Sequence, residues 1–240
     1  MAYYVCSDIH GRLDRYRRLL ETIRLSAQDT LFVLGDVIDR NPDGIAILQD
    51  MIDRDNVELF LGNHELFLYE TIADRKEGFV TDAYMKSIWC SPNNGGSITY
   101  QAFCKLAEKE KRRILKAVQN STLLRIVDVN GIKYHLSHSF TLPVPELSYY
   151  RFQDVPIGMA KEVVWKSVFR MGEYHARYQA FDPKMRYIVG HVPVQRVHRI
   201  SRIFKYCQIT DIDCGCAYSF LEGNSLACLR LDDMEEYYIF

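Results

Sequence analysis

The feature that most constrains the fold of this chain is a unit of strand, polar turn and helix that occurs three times in its first third. Short apolar runs rich in strand-forming residues lie at 2–6, 30–34 and 57–61. Each run ends in a polar turn, and apolar residues at helical spacing follow it. Such repetition is typical of a layered α/β fold, in which functional side chains collect at the carboxyl ends of the strands.

Side chains that can ligate a metal ion follow five predicted strands. They are Asp8, His10, Asp36, Asn63, His138 and His191. Residues two apart point to the same side of an extended chain, so Asp8 and His10 can reach one point. Carboxylate, amide and imidazole ligands together suit Mn²⁺, Fe or Zn²⁺. His135 lies on the same predicted strand and is a competing ligand. His138 is preferred because the strand ends there.

These ligands are too many for one open catalytic ion and fit two ions that share a carboxylate. Asp36, central in the series, is the expected bridge. Two ions roughly 3.5–4 Å apart clamp the attacking and leaving oxygens in phosphoryl transfer, and a hydroxide between them would be the nucleophile. His64 would protonate the leaving oxygen while Asp39 orients its imidazole. Arg40 offers a planar fork that matches phosphate oxygens.

The motifs resemble the five-motif signature of the calcineurin-like metallophosphoesterase family. The matching segments are Ser-Asp-Ile-His-Gly at 7–11, Gly-Asp-Val-Ile-Asp-Arg at 35–40, Gly-Asn-His-Glu at 62–65, His138 and Gly-His at 190–191. The Asp-Arg and His-Glu pairs resemble the phosphoprotein phosphatase branch in its short bacterial and phage form. Asn-Gly-Gly at 94–96 with Thr99, and the segment 211–215, look like further landmarks of that family.

This resemblance implies an α/β fold, the four-layer αββα metallophosphoesterase sandwich, with a helical excursion at about 66–122 in a single domain, 1–240. It implies two divalent metal ions, with Mn²⁺ as the first choice and Fe or Zn²⁺ as alternatives. One ion would be held by Asp8, His10 and Asp36, and the other by Asp36, Asn63, His138 and His191. The catalytic residues would be His64, Asp39 and Arg40, and the substrate-binding residues Arg40, Asn63 and Arg170.

The chain departs from the family pattern at several positions. Asn41 stands where the family usually has glycine, and Ser139 follows His138 where alanine is usual. The family commonly carries a second phosphate-binding arginine two residues after a tryptophan. Here Ser167 follows Trp165 at that spacing, so we expect either that Lys166 or Arg170 compensates or that the substrate is bound differently.

The resemblance predicts hydrolysis of phosphomonoesters, with phosphoserine or phosphothreonine in a protein, or a small phosphoester, as substrate. One alternative is symmetrical bis(5′-nucleosyl)-tetraphosphatase activity, which belongs to a sister group with nearly the same motifs. That group usually has Asp at the position of Glu65, which favours the phosphatase. Another alternative is a module that binds phosphorylated partners without turnover.

Composition limits the partners and location that we expect. The 240 residues carry a net charge of −1, which does not indicate a nucleic-acid or anionic-membrane partner. No apolar run approaches the length of a membrane span, and we recognise no signal peptide. The seven cysteines are scattered without Cys-x-x-Cys pairs, which favours reduced thiols and a cytoplasmic location. The sequence does not indicate an oligomeric state.

Overall fold

The computed structural model describes residues 1–139, 148–167, 169 and 182–240. The strands in this part of the chain are β1 (Tyr3–Cys6), β2 (Thr30–Val33), β3 (Val57–Leu59), β4 (Ile72–Arg75), β5 (Gly78–Thr81), β6 (Thr122–Val129), β7 (Ile132–Ser137), β8 (Tyr149–Arg151), β9 (Met185–Val189), β10 (Phe204–Tyr206), β11 (Ile209–Asp211), β12 (Leu226–Arg230) and β13 (Glu236–Ile239). The helices are α1 (Leu13–Thr22), α2 (Gly44–Ile52), α3 (Asn63–Thr71), α4 (Ala83–Trp89), α5 (Ser97–Cys104), α6 (Glu108–Gln119), α7 (Ile157–Trp165) and α8 (Val194–Val197), with a 3₁₀ turn at Phe152–Asp154. Among the described residues, no helix has the length and apolarity that crossing a membrane requires.

The first sheet has five strands in the order β13-β12-β1-β2-β3. β1, β2 and β3 run parallel, and each is followed by a polar turn and a helix, which confirms the predicted repeating unit. Backbone hydrogen bonds join the first two turns, because Asp8 N–H donates to the Gly35 carbonyl at 3.1 Å and His10 N–H donates to the Asp36 carbonyl at 2.9 Å. The polar turns therefore lie side by side at one edge of the sheet.

The second sheet has six strands in the order β10-β11-β9-β7-β6-β8 and packs against the first. Its central hairpin turns at Asn130 and Gly131, whose φ angles of 54° and 79° are those of the turn predicted from this dipeptide. The facing surfaces of the two sheets share one apolar cluster, which includes Val5, Phe32 and Leu229 from the first sheet and Tyr134, Leu136 and Ile188 from the second.

Outer layers cover both sheets. Helices α1 and α2 lie on the first sheet, where Tyr16 and Leu48 join the same core cluster as Val33. The outer face of the second sheet carries an apolar cluster that includes Phe169 and Tyr187. Val197 of α8 packs against this cluster. The order of helices, sheet, sheet and outer layer agrees with the predicted αββα sandwich.

The segment from about 66 to 122 is mostly helical, as predicted, with one difference. β4 and β5 form a two-stranded antiparallel hairpin between α3 and α4. Phe79, Val80 and Thr81 are aromatic or β-branched and favour a strand. Gly78, with a φ of 118°, provides the backbone conformation at the hairpin turn. Local strand preference thus interrupts the helical segment.

Candidate active site

The polar turns at the strand ends reverse sharply. Non-glycine residues of these turns with positive φ are Asp8 (55°), His10 (46°), Asp36 (54°), Asp39 (73°), Arg40 (68°) and His191 (74°). The left-handed region costs a non-glycine residue about 1–2 kcal/mol, and such strain concentrates at functional sites. Every one of these residues was predicted to belong to the site, and the turns bring their side chains together.

Asp36 lies at the centre of the cluster, with its two carboxylate oxygens facing different histidines. Oδ2 lies 3.6 Å from His10 Nε2 and 3.8 Å from His64 Nε2. Oδ1 lies 3.5 Å from His138 Nε2. Burial raises the pKa of Asp36 to about 8, with Asp8 and Glu65 adding to the shift and His64 opposing it. A carboxylate in this position can bridge two cations, which is the geometry predicted from its place in the sequence.

Backbone carbonyls fix the orientation of two of the candidate ligand imidazoles. Nδ1 of His10 lies 2.9 Å from the Ile38 carbonyl oxygen, and Nδ1 of His138 lies 2.6 Å from that of Leu34. When Nδ1–H donates to the carbonyl, Nε2 keeps its lone pair and faces Asp36. Burial, with Arg40 nearby, holds the pKa of His10 well below its usual range. A neutral imidazole is the form that ligates a metal ion.

Asp8 offers a carboxylate oxygen with no other role. Oδ2 accepts a hydrogen bond from the backbone N–H of His191 at 2.9 Å, whereas Oδ1 is buried, has no hydrogen-bond partner in the described part of the chain, and lies 4.0 Å from His10 Nε2. Gly190 permits this approach, because a Cβ atom there would lie 2.4 Å from Asp8 Oδ2. A buried oxygen of this kind costs free energy unless a proton or cation meets it. The residues present therefore fit a bound cation.

The candidate ligands form two adjacent groups with Asp36 in common. In the part of the chain that the structure describes, these are His10, Asp36 and His64, and Asp36, His138 and His191, each with ligand atoms within 4.8 Å of one another. Asn63 belongs beside the second group, since its Oδ1 lies 3.1 Å from His138 Nε2. The second group agrees with the predicted one. The first differs from it, because it contains His64 in place of Asp8, whose Oδ1 lies 4.0 Å from His10 Nε2.

His64 is held by a carboxylate, as predicted for a general acid. Its Nδ1 lies 2.6 Å from Asp39 Oδ2, and the indole N–H of Trp89 donates to the same oxygen at 2.6 Å. The backbone N–H of Asp39 donates to Thr99 Oγ1 at 2.9 Å. Sequence reasoning missed Trp89, which is the last residue of α4. The choice between acid and ligand for His64 stays a prediction.

Arg40 lies over the same cluster. Its Nη1 contacts His10 Nε2, and its Nη2 lies 3.1 Å from His64 Nε2. The backbone N–H of Arg40 donates to the Gly95 carbonyl at 3.2 Å, so the loop at 93–96 helps to fix this turn. The guanidinium is thus placed where a phosphate bound beside His64 could meet it.

Glu65 binds backbone N–H groups. The sequence analysis used this residue as a marker of substrate class. It is fully buried, and its carboxylate accepts hydrogen bonds from the backbone N–H groups of Asp36, Val37, Ile38 and Gly62, at 2.8, 2.9, 3.2 and 3.1 Å. The side chain ties the second polar turn to the start of α3. It therefore bears on the substrate only through the position of these turns.

Three other residues considered in the sequence analysis are His135, Lys166 and Arg170, and the first two do not belong to the cluster around Asp36. His135 is buried on the second sheet with its ring 5.1 Å from Tyr187, so His138 is the histidine beside Asp36. Lys166 pairs with Glu162 on α7 and does not line the site cavity. Arg170, predicted to bind substrate, lies outside the described residues.

A cavity of about 220 Å³ opens beside the two ligand groups. It is lined by Asp36, Arg40, Asn63, His64, Asn93, Asn94, Trp165, His191, Pro193, Arg196 and Tyr218. A larger cavity, about 540 Å³, lies between β4 and α6 and contains none of the predicted site residues. Sequence reasoning missed Arg196 and Tyr218, although each closely follows a recognised motif.

Comparisons with known proteins agree with this site. Residues 1–195 match the calcineurin-like phosphoesterase family. A symmetrical bis(5′-nucleosyl)-tetraphosphatase from Buchnera aphidicola subsp. Acyrthosiphon pisum (strain Tuc7) is 32% identical over 116 residues, 46% of this chain and 42% of the relative. The protein of the same name from Acidovorax sp. (strain JS42) is 47% identical over 70 residues, 28% of this chain and 25% of the relative. The matches thus cover less than half the length of these curated relatives.

A solved structure shows the likeness of fold over more of the chain. A protein serine/threonine phosphatase from Saccharomyces cerevisiae, with similarity to human phosphatase PP5, has a TM-score of 0.62 at 14% identity, over 96% of this chain and 72% of that chain. At this identity the likeness concerns the fold alone. Because the family match extends over residues 1–195 and the fold agrees with it, this chain belongs to the calcineurin-like phosphoesterase family.

Proposed function

We propose that this protein is a dimetal-dependent phosphomonoester hydrolase whose substrates are phosphoserine and phosphothreonine side chains. The observation that carries the proposal is Asp36, whose two oxygens face His10 and His138 separately. When bound there, two divalent ions, with Mn²⁺ the first choice, would supply an activated water and charge stabilisation of the phosphoryl group. The other steps belong to side chains of the chain itself.

His64 and Arg40 would carry these steps. His64 would donate a proton from Nε2 to the leaving oxygen, while Asp39 holds Nδ1 and stabilises the imidazolium. Arg40, whose fork already reaches His64 Nε2, would bind the oxygens of the phosphoryl group. Asn63 would contact the substrate from the start of α3 in addition to its role as a metal ligand.

The small volume of the cavity beside Asp36 favours a substrate whose reacting group is small. Drug-sized ligands generally occupy clefts of about 300–1,000 Å³, and the cavity beside Asp36 is about 220 Å³. A phosphoryl group and the side chain that carries it fit such a volume, with the rest of a protein substrate remaining outside.

Symmetrical hydrolysis of dinucleoside tetraphosphates is the second candidate. The two curated relatives reported above carry that name. The rings of Trp165 and Tyr218 also line the cavity and offer surfaces on which a base could stack.

A direct comparison of substrates tests the proposal. With Mn²⁺ present, kcat/KM is measured for a phosphothreonine peptide and for diadenosine tetraphosphate, and we expect the peptide to be preferred. A preference for the dinucleotide of about a hundredfold, equivalent to about 2.7 kcal/mol, would assign the protein to the second function. Absence of turnover with p-nitrophenyl phosphate and with both substrates, under Mn²⁺, Fe²⁺ and Zn²⁺, would instead indicate a phospho-binding module.

A further inference from the structure

Two arginines contact one tyrosine ring beside the candidate metal ligands. The guanidinium carbon of Arg40 lies 4.9 Å from the centre of the Tyr218 ring, and that of Arg196 lies 4.5 Å from it. All three side chains line the cavity that contains Asp36. Cation–π contacts within about 6 Å are attractive, so the ring orients both guanidinium groups.

Arg196 differs from Arg40 in what else it meets. Arg40 contacts His10 and His64, whereas no hydrogen bond joins Arg196 to either of these histidines. Among residues 1–139, 148–167, 169 and 182–240, no carboxylate lies within ion-pair distance of Arg196. Other arginines, such as Arg54 with Asp50, do have such a partner. An arginine that faces an active-site cavity without a carboxylate retains its donors for an anionic ligand.

The backbone places Arg196 and Tyr218 on one frame. Val194 at the start of α8 is fully buried, and its N–H donates to the Asp213 carbonyl at 2.9 Å. The side-chain amide of Gln195 donates to the Cys214 carbonyl at 3.0 Å. The helix carrying Arg196 is therefore fixed to the segment that leads to Tyr218. Such a fixed position reduces the entropy that an arginine loses when it binds a ligand.

We propose that Arg196, oriented by Tyr218, forms a second anion subsite that binds a negatively charged group of the substrate next to the phosphoryl group being transferred. This rests on the proposed function for the reaction itself. Arg40 serves the reacting phosphoryl group beside His10 and His64, and no hydrogen bond joins Arg196 to either histidine, so the anion that Arg196 binds is a second one. The group is a carboxylate or a further phosphate, because a guanidinium fork pairs with either.

The test replaces Arg196 and measures the preference between two ligands that differ in charge. One pair of ligands tests a carboxylate, and a second pair tests a phosphate. For the carboxylate, kcat/KM is compared for two phosphothreonine peptides that differ only in Asp or Ala beside the phosphothreonine. For the phosphate, inhibition by inorganic triphosphate is compared with inhibition by inorganic phosphate. Arg196→Gln should lower the preference for the more highly charged member of at least one pair by about tenfold, which corresponds to about 1.4 kcal/mol. Arg196→Lys should restore part of it.

Control variants separate this role from a general loss of structure. Arg202 is an exposed arginine over a different ring, Tyr238, and does not line the cavity, so Arg202→Gln should leave both preferences unchanged. Tyr218→Leu should reproduce part of the Arg196→Gln effect, and Tyr218→Phe, which keeps the ring, should not.

Two results would overturn the inference. One is an unchanged preference in both pairs, and the other is an equal loss for the more charged and the less charged member of each pair. If the wild type hydrolyses neither peptide, the proposed function fails, and calorimetric binding of inorganic phosphate and triphosphate then tests Arg196 by itself. In that measurement a loss of affinity confined to triphosphate supports the subsite, and no change overturns it.

Discussion

Replacing Glu65 by Gln should destabilise the protein far more than an ordinary exchange of a carboxylate for its amide. Oε2 accepts from the N–H groups of Asp36 and Gly62, and Oε1 accepts from those of Val37 and Ile38. Gln has the same shape but presents an NH₂ group in place of one oxygen. Two backbone donors would then face another donor in a site that is fully buried.

The size of the effect follows from the two lost acceptors. Hydrogen bonds to charged groups contribute about 1.5–3 kcal/mol each, so the variant should lose about 3–6 kcal/mol. Total stabilities of domains are about 5–15 kcal/mol, so this loss is large enough to measure easily. Urea unfolding followed by tryptophan fluorescence gives the free energy of unfolding by linear extrapolation.

Glu58 offers a matched control. It is a partly exposed glutamate that accepts from Thr122 Oγ1 at 2.6 Å and pairs with Arg125. Exposed ion pairs contribute about 0–1 kcal/mol, so Glu58→Gln should cost little. If Glu65→Gln lowers the free energy of unfolding by no more than about 1 kcal/mol, the loss expected for the control, the carboxylate does not hold the turns and the reasoning is wrong.

The remaining predictions concern the site and its surroundings. Asp36→Asn should lose both metal ions, as measured by the metal content of protein prepared in Mn²⁺, and retention of two ions contradicts the bridging role. His64→Asn should keep both ions yet lose about 10²–10⁴-fold in rate on an alkyl phosphate; an equal loss on p-nitrophenyl phosphate, whose leaving group needs little protonation, argues against a general acid. Burial lowers the pKa of His135 to about 3 from 6.5, so between these values the unfolded chain binds more protons and the free energy of unfolding decreases as the pH is lowered, by about 2 kcal/mol at pH 5. His135→Leu should flatten the difference in unfolding free energy between pH 7 and pH 5, and an unchanged difference assigns it to other groups.

The candidate ligands could be placed from sequence because strand ends impose a simple geometry. A short apolar run predicts a strand, and parallel strands bring their carboxyl ends to one edge. Asp8, Asp36 and Asn63 come two, three and four residues after the ends of β1, β2 and β3, so knowing the strands was enough to expect them together. His138 and His191 come from the other sheet, and their place depended on the predicted strand ends and on the resemblance of the motifs.

Contacts between side chains and the backbone of distant segments could not be predicted in this way. Glu65 has its effect through N–H groups in another turn, and no periodic pattern marks such a contact. Trp89 reaches Asp39 from the end of α4, fifty residues along the chain. The β4–β5 hairpin was missed because short strands inside a helical segment give little periodicity on which to base a prediction.

The groups that would determine substrate specificity could not be predicted from the sequence for the same reason. Arg196 and Tyr218 lie in short segments after β9 and β11, and hydrogen bonds between these segments bring them together. The ligands at the strand ends would bind the reacting phosphoryl group of any phosphoester and cannot by themselves distinguish a phosphopeptide from a dinucleotide. Discrimination requires contacts beyond that group. The choice between the two candidate functions should therefore depend on Arg196, Tyr218 and Trp165 around the cavity rather than on Glu65, whose carboxylate the backbone already occupies.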